Sequence, residues 1–163
     1  MTSRPNFLFF ITDQHRADHL GCYGNQIVRT PNIDALAASG FVADEFHVAT
    51  PICMPNRASL MTGRMPSRHG VRHNGIELSM DERTLPETLR EAGYRTMHVG
   101  KSHLQNIETK PPGYPREGQP KYSKEARREG PGKHGQEVWK RWEDDPNAEI
   151  ETPFYGFETV DLC

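Results

Sequence analysis

Apolar residues are spread unevenly along this 163-residue chain, and that unevenness constrains its fold more than any other feature. From Met1 to about Gln105, short apolar runs alternate with helical patterns. Asn6 to Thr12 contains Phe7-Leu8-Phe9-Phe10-Ile11 and reads as a strand apolar on both faces, as in a buried sheet. Thr30-Pro31 caps and opens a helix with Ile33, Leu36 and Ala37 on one face, and Gly40 closes it. Phe41 to Val48 is rich in strand formers, and Asn56 to Met61 forms a short helix ending at Gly63. Thr84-Leu85-Pro86-Glu87 has capping-box spacing and starts a helix that runs to Gly93. Tyr94 to Val99 reads as a further strand. This alternation predicts an α/β domain over residues 1–105, with a mostly parallel central sheet flanked by helices. Chemistry in such sheets sits at the carboxyl ends of strands, here after Thr12, Val48 and Val99.

From about Asn106 to Pro153 the chain is a polar excursion, with seven prolines (Pro111, Pro112, Pro115, Pro120, Pro131, Pro146, Pro153) and few aliphatics. Its apolar surface does not offset its ordering entropy, so it orders only against something else, and it would suit a subunit contact in a homo-oligomer. Trp139 and Trp142 share a helical face and are read as packing on the chain's own core. Residues 154–163 turn apolar again and re-enter the fold.

The charge balance, 20 basic against 22 acidic side chains, argues against nucleic acid as a partner. No apolar run approaches the ~20 residues of a membrane span. The run Phe7–Ile11 is too short for a signal-peptide core, which points to a cytoplasmic protein unless a longer precursor exists. Cys22, Cys53 and Cys163 are odd in number and form no C-x-x-C, which disfavours a disulfide framework or a cysteine zinc site.

Three places hold chemistry-bearing residues. Asp13, after the first strand, suits a hard cation, and Gln14 adds a weaker carbonyl oxygen. In Thr50-Pro51-Ile52-Cys53-Met54-Pro55-Asn56-Arg57, two prolines stiffen the loop that presents Cys53, and a helix start directly after it favours an anion at the sulfur. Arg57 lies about one helical turn on, so its guanidinium can point back at Cys53. His69 and His73 are spaced i, i+4 but enclose Gly70, and no H-E-x-x-H occurs, so they are read as scattered histidines, as are His15, His19 and His47. Arg127-Arg128 reads as a solvated face.

Cys53 to Arg57 is C-x-P-x-R, followed by Leu60-Met61-Thr62-Gly63-Arg64, and resembles the sulfatase signature. Gly93-Tyr94-Arg95-Thr96-Met97-His98-Val99-Gly100-Lys101-Ser102-His103-Leu104 resembles the sulfatase element G-Y-x-T-x-x-x-G-K-x-H-L. The opening strand with Asp13, then Gly21-Cys22-Tyr23-Gly24 and Thr30 to Ala37, is similar to the family's start, in the same order. The resemblance spans about Pro5 to Asn106. It implies the alkaline-phosphatase-like fold, incomplete in this chain, and hydrolysis of a small anionic sulfate ester. It also implies conversion of Cys53 to formylglycine by a modifying enzyme, and a divalent metal, Ca²⁺ first and Mn²⁺ as the alternative.

The resemblance places Asp13, Gln14 and the modified Cys53 side chain at the metal. Arg57 would hold the formylglycine oxygen. Lys101 would bind a sulfate oxygen as a point charge, and His103 would hydrogen-bond the sulfate or protonate the leaving oxygen. A hydrated aldehyde at position 53 carries two hydroxyls on one carbon. One attacks sulfur while the alkoxide or phenoxide leaves, and loss of the proton from the other then expels sulfate and regenerates the aldehyde. Asn74, in a turn-forming Asn-Gly, matches a polar pocket position of the phosphonate monoester hydrolases.

The departures are Gln14 where many sulfatases have an acid, Met54 and Asn56 inside the cysteine motif, and Ser102 between Lys and His. Cys-Met-Pro-Asn-Arg with Asp-Gln is similar to the branch that cleaves phosphonate monoesters and phosphodiesters, which is the alternative within enzymes. An alternative from another class is a non-catalytic fragment or binding module whose site does not assemble, and a third is an unmodified cysteine enzyme that uses a thiolate. The family's downstream metal ligands find no match after His103, which predicts that residues 1–163 alone are not a competent enzyme.

Overall fold

A computed structural model describes residues 4–108 and 135–162. It divides into two compact units, Met1–His47 and Val48–Cys163. Pro111, Pro112, Pro115, Pro120, Pro131 and the Arg127-Arg128 pair lie outside the described residues. Among the described residues no helix is long and apolar enough to cross a membrane.

The first unit holds two single turns of 3-10 helix, Ala17–His19 and Gly21–Tyr23, and helix α1, Pro31–Ser39. Pro31 opens α1 as expected, because its fixed φ suits a helix start. Thr30 Oγ1 accepts the Gly21 N–H at 2.8 Å and donates to Asp34 Oδ1, which also accepts the Cys22 N–H at 2.7 Å. A Cβ at position 21 would meet Asp34 Oδ2 at 2.4 Å, so a larger residue there would displace the Asp34 carboxylate.

Two strands read from the sequence are absent from this unit. Residues 6–12 and 41–48 are irregular and take part in no ladder among the described residues. Leu8 is 81% exposed, Phe10 83% and Phe41 91%. Aromatic and β-branched composition favours an extended chain, but a strand exists only where a neighbouring strand takes its N–H and C=O groups.

The second unit carries α2 (Cys53–Thr62), α3 (Pro66–His69), α4 (Leu85–Glu91), β1 (Met97–Val99), α5 (Lys140–Asp144) and β2 (Thr159–Asp161). Helix α2 begins three residues before the expected Asn56. Pro55 is tolerated there because first-turn amides have no intrahelical acceptor. Gly63 ends it at φ 65°, with its N–H on the Ser59 carbonyl. The expected cap of α4 is present, with Thr84 Oγ1 accepting the Glu87 N–H at 3.3 Å.

β1 pairs in parallel with β2, Met97 opposite Thr159 and Val99 opposite Asp161. It is shorter than the expected 94–99 because Thr96 turns its carbonyl to the amides of Glu158 and Thr159 and its hydroxyl to Gly156. Gly156, at φ 90°, lies so close to α4 that a Cβ would fall 2.2 Å from the Glu87 nitrogen.

The core gathers Met54, Ala58, Val71, Leu78, Leu104, Phe154 and Tyr155. Phe154 and Tyr155 meet edge to face at 4.7 Å, and re-entry at residue 154 is where the apolar composition returns. Burial pushes the Tyr155 phenol far up, so it stays protonated and donates to the Leu78 carbonyl at 2.6 Å. The tryptophan pair is not part of this core. Trp139 is 47% exposed and Trp142 donates to the Ala148 carbonyl, while Ile150 and Phe154 supply the core contacts from this part of the chain.

Candidate active site

Cys53 is the first residue of α2 and is partly buried. Ile52 offers no side-chain cap, and the missing acceptor comes from a distant turn: Asn74 Oδ1 takes the Met54 N–H at 3.1 Å. The adjacent Gly75 N–H packs on Met54 Sδ at 3.0 Å, which uses the bulk of Met54 to hold the 73–75 turn against the helix start. Pro55 has no N–H, so of the first three helical amides only that of Cys53 is left to face an anion. The helix start is therefore a poorer anion site than its position alone implies, and any charge on a bound ester needs side-chain cations.

Arg57 is 7% exposed, and its Nη1 donates to the Lys101 carbonyl. This bond ties the cysteine helix to the loop that leaves β1. One donor of five is used in it, which leaves the guanidinium able to hold a second oxygen. The sequence places Arg57 beside Cys53 by helical spacing; the structure adds Lys101 as the partner that fixes it.

β1 ends at Val99, and the Gly100 N–H continues to the Asp161 carbonyl at 2.7 Å. Gly100 has φ 92°, which turns the chain out of the sheet at Lys101. Lys101 is partly buried, and Ser102, His103, Leu104 and Gln105 are buried. His103 has φ 48°, a left-handed conformation that costs a non-glycine residue about 1–3 kcal/mol. Four donors of this loop converge on Glu137: Ser102 Oγ and the amides of His103, Leu104 and Gln105. Burial pushes the Glu137 carboxyl up, and these hydrogen bonds oppose that by favouring its ionised form. The sequence reading missed Glu137, which lies 32 to 35 residues from its partners within the polar excursion.

His69 behaves as a packed histidine. Its Nδ1 accepts the Val71 N–H at 3.2 Å, so Nε2 carries the hydrogen and donates to Ser59 Oγ at 2.9 Å. A histidine that donates to a serine does not activate it as a nucleophile.

Cys53, Arg57, Asn74, Lys101 and His103 thus all lie in the Val48–Cys163 unit, joined by the Asn74–Met54 and Arg57–Lys101 bonds. Asp13 and Gln14 lie in the Met1–His47 unit, both exposed, with Gln14 at φ 49°. Their carboxylate and carboxamide oxygens are donors of the type a hard cation takes. Among the described residues no three His, Cys, Asp or Glu side chains form a metal-holding group.

The family model described as Sulfatase matches residues 5–143, and the chain belongs to the sulfatase family. It is 36% identical over 103 residues to the N-acetylglucosamine-6-O-sulfatase of Bacteroides thetaiotaomicron, covering 63% of this chain and 18% of that protein. A solved structure bound to its substrate D-glucosamine-2-N,6-O-disulfate is 35% identical at TM-score 0.61, covering 63% of this chain and 21% of the other. The phosphonate monoester hydrolase of Agrobacterium radiobacter is 25% identical at TM-score 0.59, covering 92% of this chain and 24% of the other. The fold is the alkaline-phosphatase-like α/β fold of these relatives. The chain spans about a fifth of the length of the curated relatives it matches.

Proposed function

We propose that the complete protein hydrolyses sulfate esters with a formylglycine formed from Cys53. The observation that supports this is the Arg57–Lys101 bond, which joins the two sulfatase-like segments, 53–57 and 93–104, in a member of that family. In this reading Lys101 holds a sulfate oxygen as a point charge. His103 gives a proton to the leaving oxygen, and the burial of its loop shields that transfer from water. Arg57 holds the oxygen on residue 53 with the donors not used on Lys101. Asn74 orients the helix start through the Met54 amide and presents its carboxamide N–H₂ to the anion. By the family resemblance, Asp13 and Gln14 would supply oxygens to a divalent cation, Ca²⁺ or Mn²⁺, which would withdraw charge from the ester and acidify a hydroxyl.

Peptide mass spectrometry of residue 53 tests the reading in protein from a host with a modifying enzyme. The expected change is loss of sulfur and gain of an aldehyde oxygen. An unmodified thiol in active, natively produced enzyme overturns it.

A second reading has its own support. The phosphonate monoester hydrolase is matched along 92% of this chain, against 63% for the disulfate-bound structure. Replacing an acid by Gln14 also removes a negative charge, which suits a more anionic ester. Competing turnover of an aryl sulfate and an aryl phosphonate separates the two.

A further inference from the structure

Glu137 holds the Lys101–His103 loop in a way that neither the family match nor the proposed chemistry uses. Its Oε1 accepts from Ser102 Oγ at 2.7 Å and the His103 N–H at 2.6 Å. Its Oε2 accepts from the Leu104 N–H at 2.8 Å and the Gln105 N–H at 2.5 Å. Three successive backbone amides aimed at one anion form a nest, and the anion that fills this one is the chain's own carboxylate, 6% exposed. The turn that aims them is the left-handed His103, a conformation that persists only where its surroundings over-determine it. Gln136 adds a further tie. Its N–H donates to Gln105 Oε1 at 2.9 Å, and its own Oε1 accepts the Glu151 N–H at 2.7 Å. All four acceptor positions of Glu137 are occupied by donors, so an uncharged glutamine of the same size would turn an N–H₂ toward amide N–H groups.

We propose that Glu137 is the positioning residue of the active-site loop: its carboxylate, by filling the nest of residues 103–105, fixes the backbone that presents Lys101 and His103 to the ester. The catalytic half of this rests on the roles given to Lys101 and His103 above. Glu137 itself acts through the loop and touches no substrate. A filled nest also removes three amide donors that would otherwise compete with Lys101 for the anion.

The test compares E137Q, E137A and the wild-type complete protein by amide hydrogen exchange over residues 103–105 and by kcat and KM. In E137Q, exchange there should rise about tenfold or more, as loss of charge-assisted hydrogen bonds implies. Turnover should fall about 10²-fold, mainly in kcat, as expected for misplaced catalytic groups. Formate should restore part of both in E137A, because it refills the nest, whereas equal chloride should not. Wild-type exchange in E137Q, or faster exchange with kcat and KM unchanged, overturns the proposal. So does a failure of formate on an E137A protein that melts like wild type. Should E137Q not fold, S102A removes one of the four bonds, and unchanged exchange at 103–105 in that variant is equally fatal. If wild type shows the exchange pattern and no sulfatase turnover, the reading of Lys101 and His103 fails while the loop-fixing role of Glu137 stands.

Discussion

The segment 6–12 and strand β1 are both short apolar runs that lead into candidate site residues, Asp13–Gln14 after one and Lys101–His103 after the other, yet among the described residues only β1 belongs to a strand ladder. β1 meets β2 along three residue pairs, and its approach is locked by the Thr96 hydroxyl on Gly156 and the Glu158 carboxylate on the Thr96 N–H. Ser102 to Gln105, which follow it, are buried and held by Glu137. The segment 6–12 has no ladder among the described residues, and Asp13 and Gln14 after it are exposed. The difference teaches that apolar composition makes a strand only where another strand pairs with it. Burial of the following loop then depends on a further partner, here one that arrives more than thirty residues later.

The largest expected effect probes the packed side of this contrast. Phe154→Ala empties a fully buried site and should cost about 3–5 kcal/mol of unfolding free energy, read by chemical denaturation. Phe10→Ala should stay within about 0.5 kcal/mol, as for a surface change. Equal losses would break the contrast by showing that 6–12 is packed in the protein.

Next, Lys101→Ala in the complete enzyme should lower kcat/KM by about 10²–10³, the range for removing a group that stabilises developing charge. The fold should be unchanged by circular dichroism. Near wild-type turnover would detach the paired strand from the chemistry. Asp13→Asn should weaken divalent-cation binding in metal titration. Unchanged affinity would show that segment 6–12 does not lead into a metal site.

Thr84→Ala removes the cap of α4 and the donor to the Tyr155 carbonyl, which tie that helix to the re-entrant chain. A loss of about 2 kcal/mol is expected from the cap together with one unsatisfied buried carbonyl. A change under about 0.5 kcal/mol, the surface range, would show that re-entry at 154–156 does not depend on α4.

The smallest effect is a pH dependence. Burial pushes the His69 imidazole below its usual range, and the Arg64 charge adds to this. The unfolded chain then binds a proton more readily than the folded one, so stability falls as pH drops from 6.5 through the lowered folded value. Above 6.5 this contribution is constant. Burial lowers His98 as well, so His69→Gln should reduce the slope without abolishing it. An unchanged slope in denaturation at several pH values would remove His69 from the account.

Local sequence was sufficient wherever the physics is local. Pro31 at a helix start, Thr84 three residues before Glu87, and Gly63 in the left-handed position each act within one turn, and each helix end follows from them. The C-x-P-x-R spacing likewise put Arg57 about one helical turn after Cys53, although the sequence read Cys53 as a loop residue and the structure makes it the first residue of the helix. Strands were harder to read, because composition at 6–12 and 41–48 says nothing of a partner. Trp139 and Trp142 were misplaced for the same reason: helical spacing gives a shared face but not what covers it.

By itself, then, the sequence determined the α/β class, the family, and the start of α1, the end of α2 and the cap of α4. Tertiary structure decided what those residues meet. It gave Met54 an amide partner in Asn74, gave Arg57 the Lys101 carbonyl, and filled the 103–105 nest with Glu137. Each of these bonds joins residues 20 to 44 positions apart, and no periodicity or cap rule reaches that far. Their cause is the need of buried polar groups for partners, which is met only once the chain has packed.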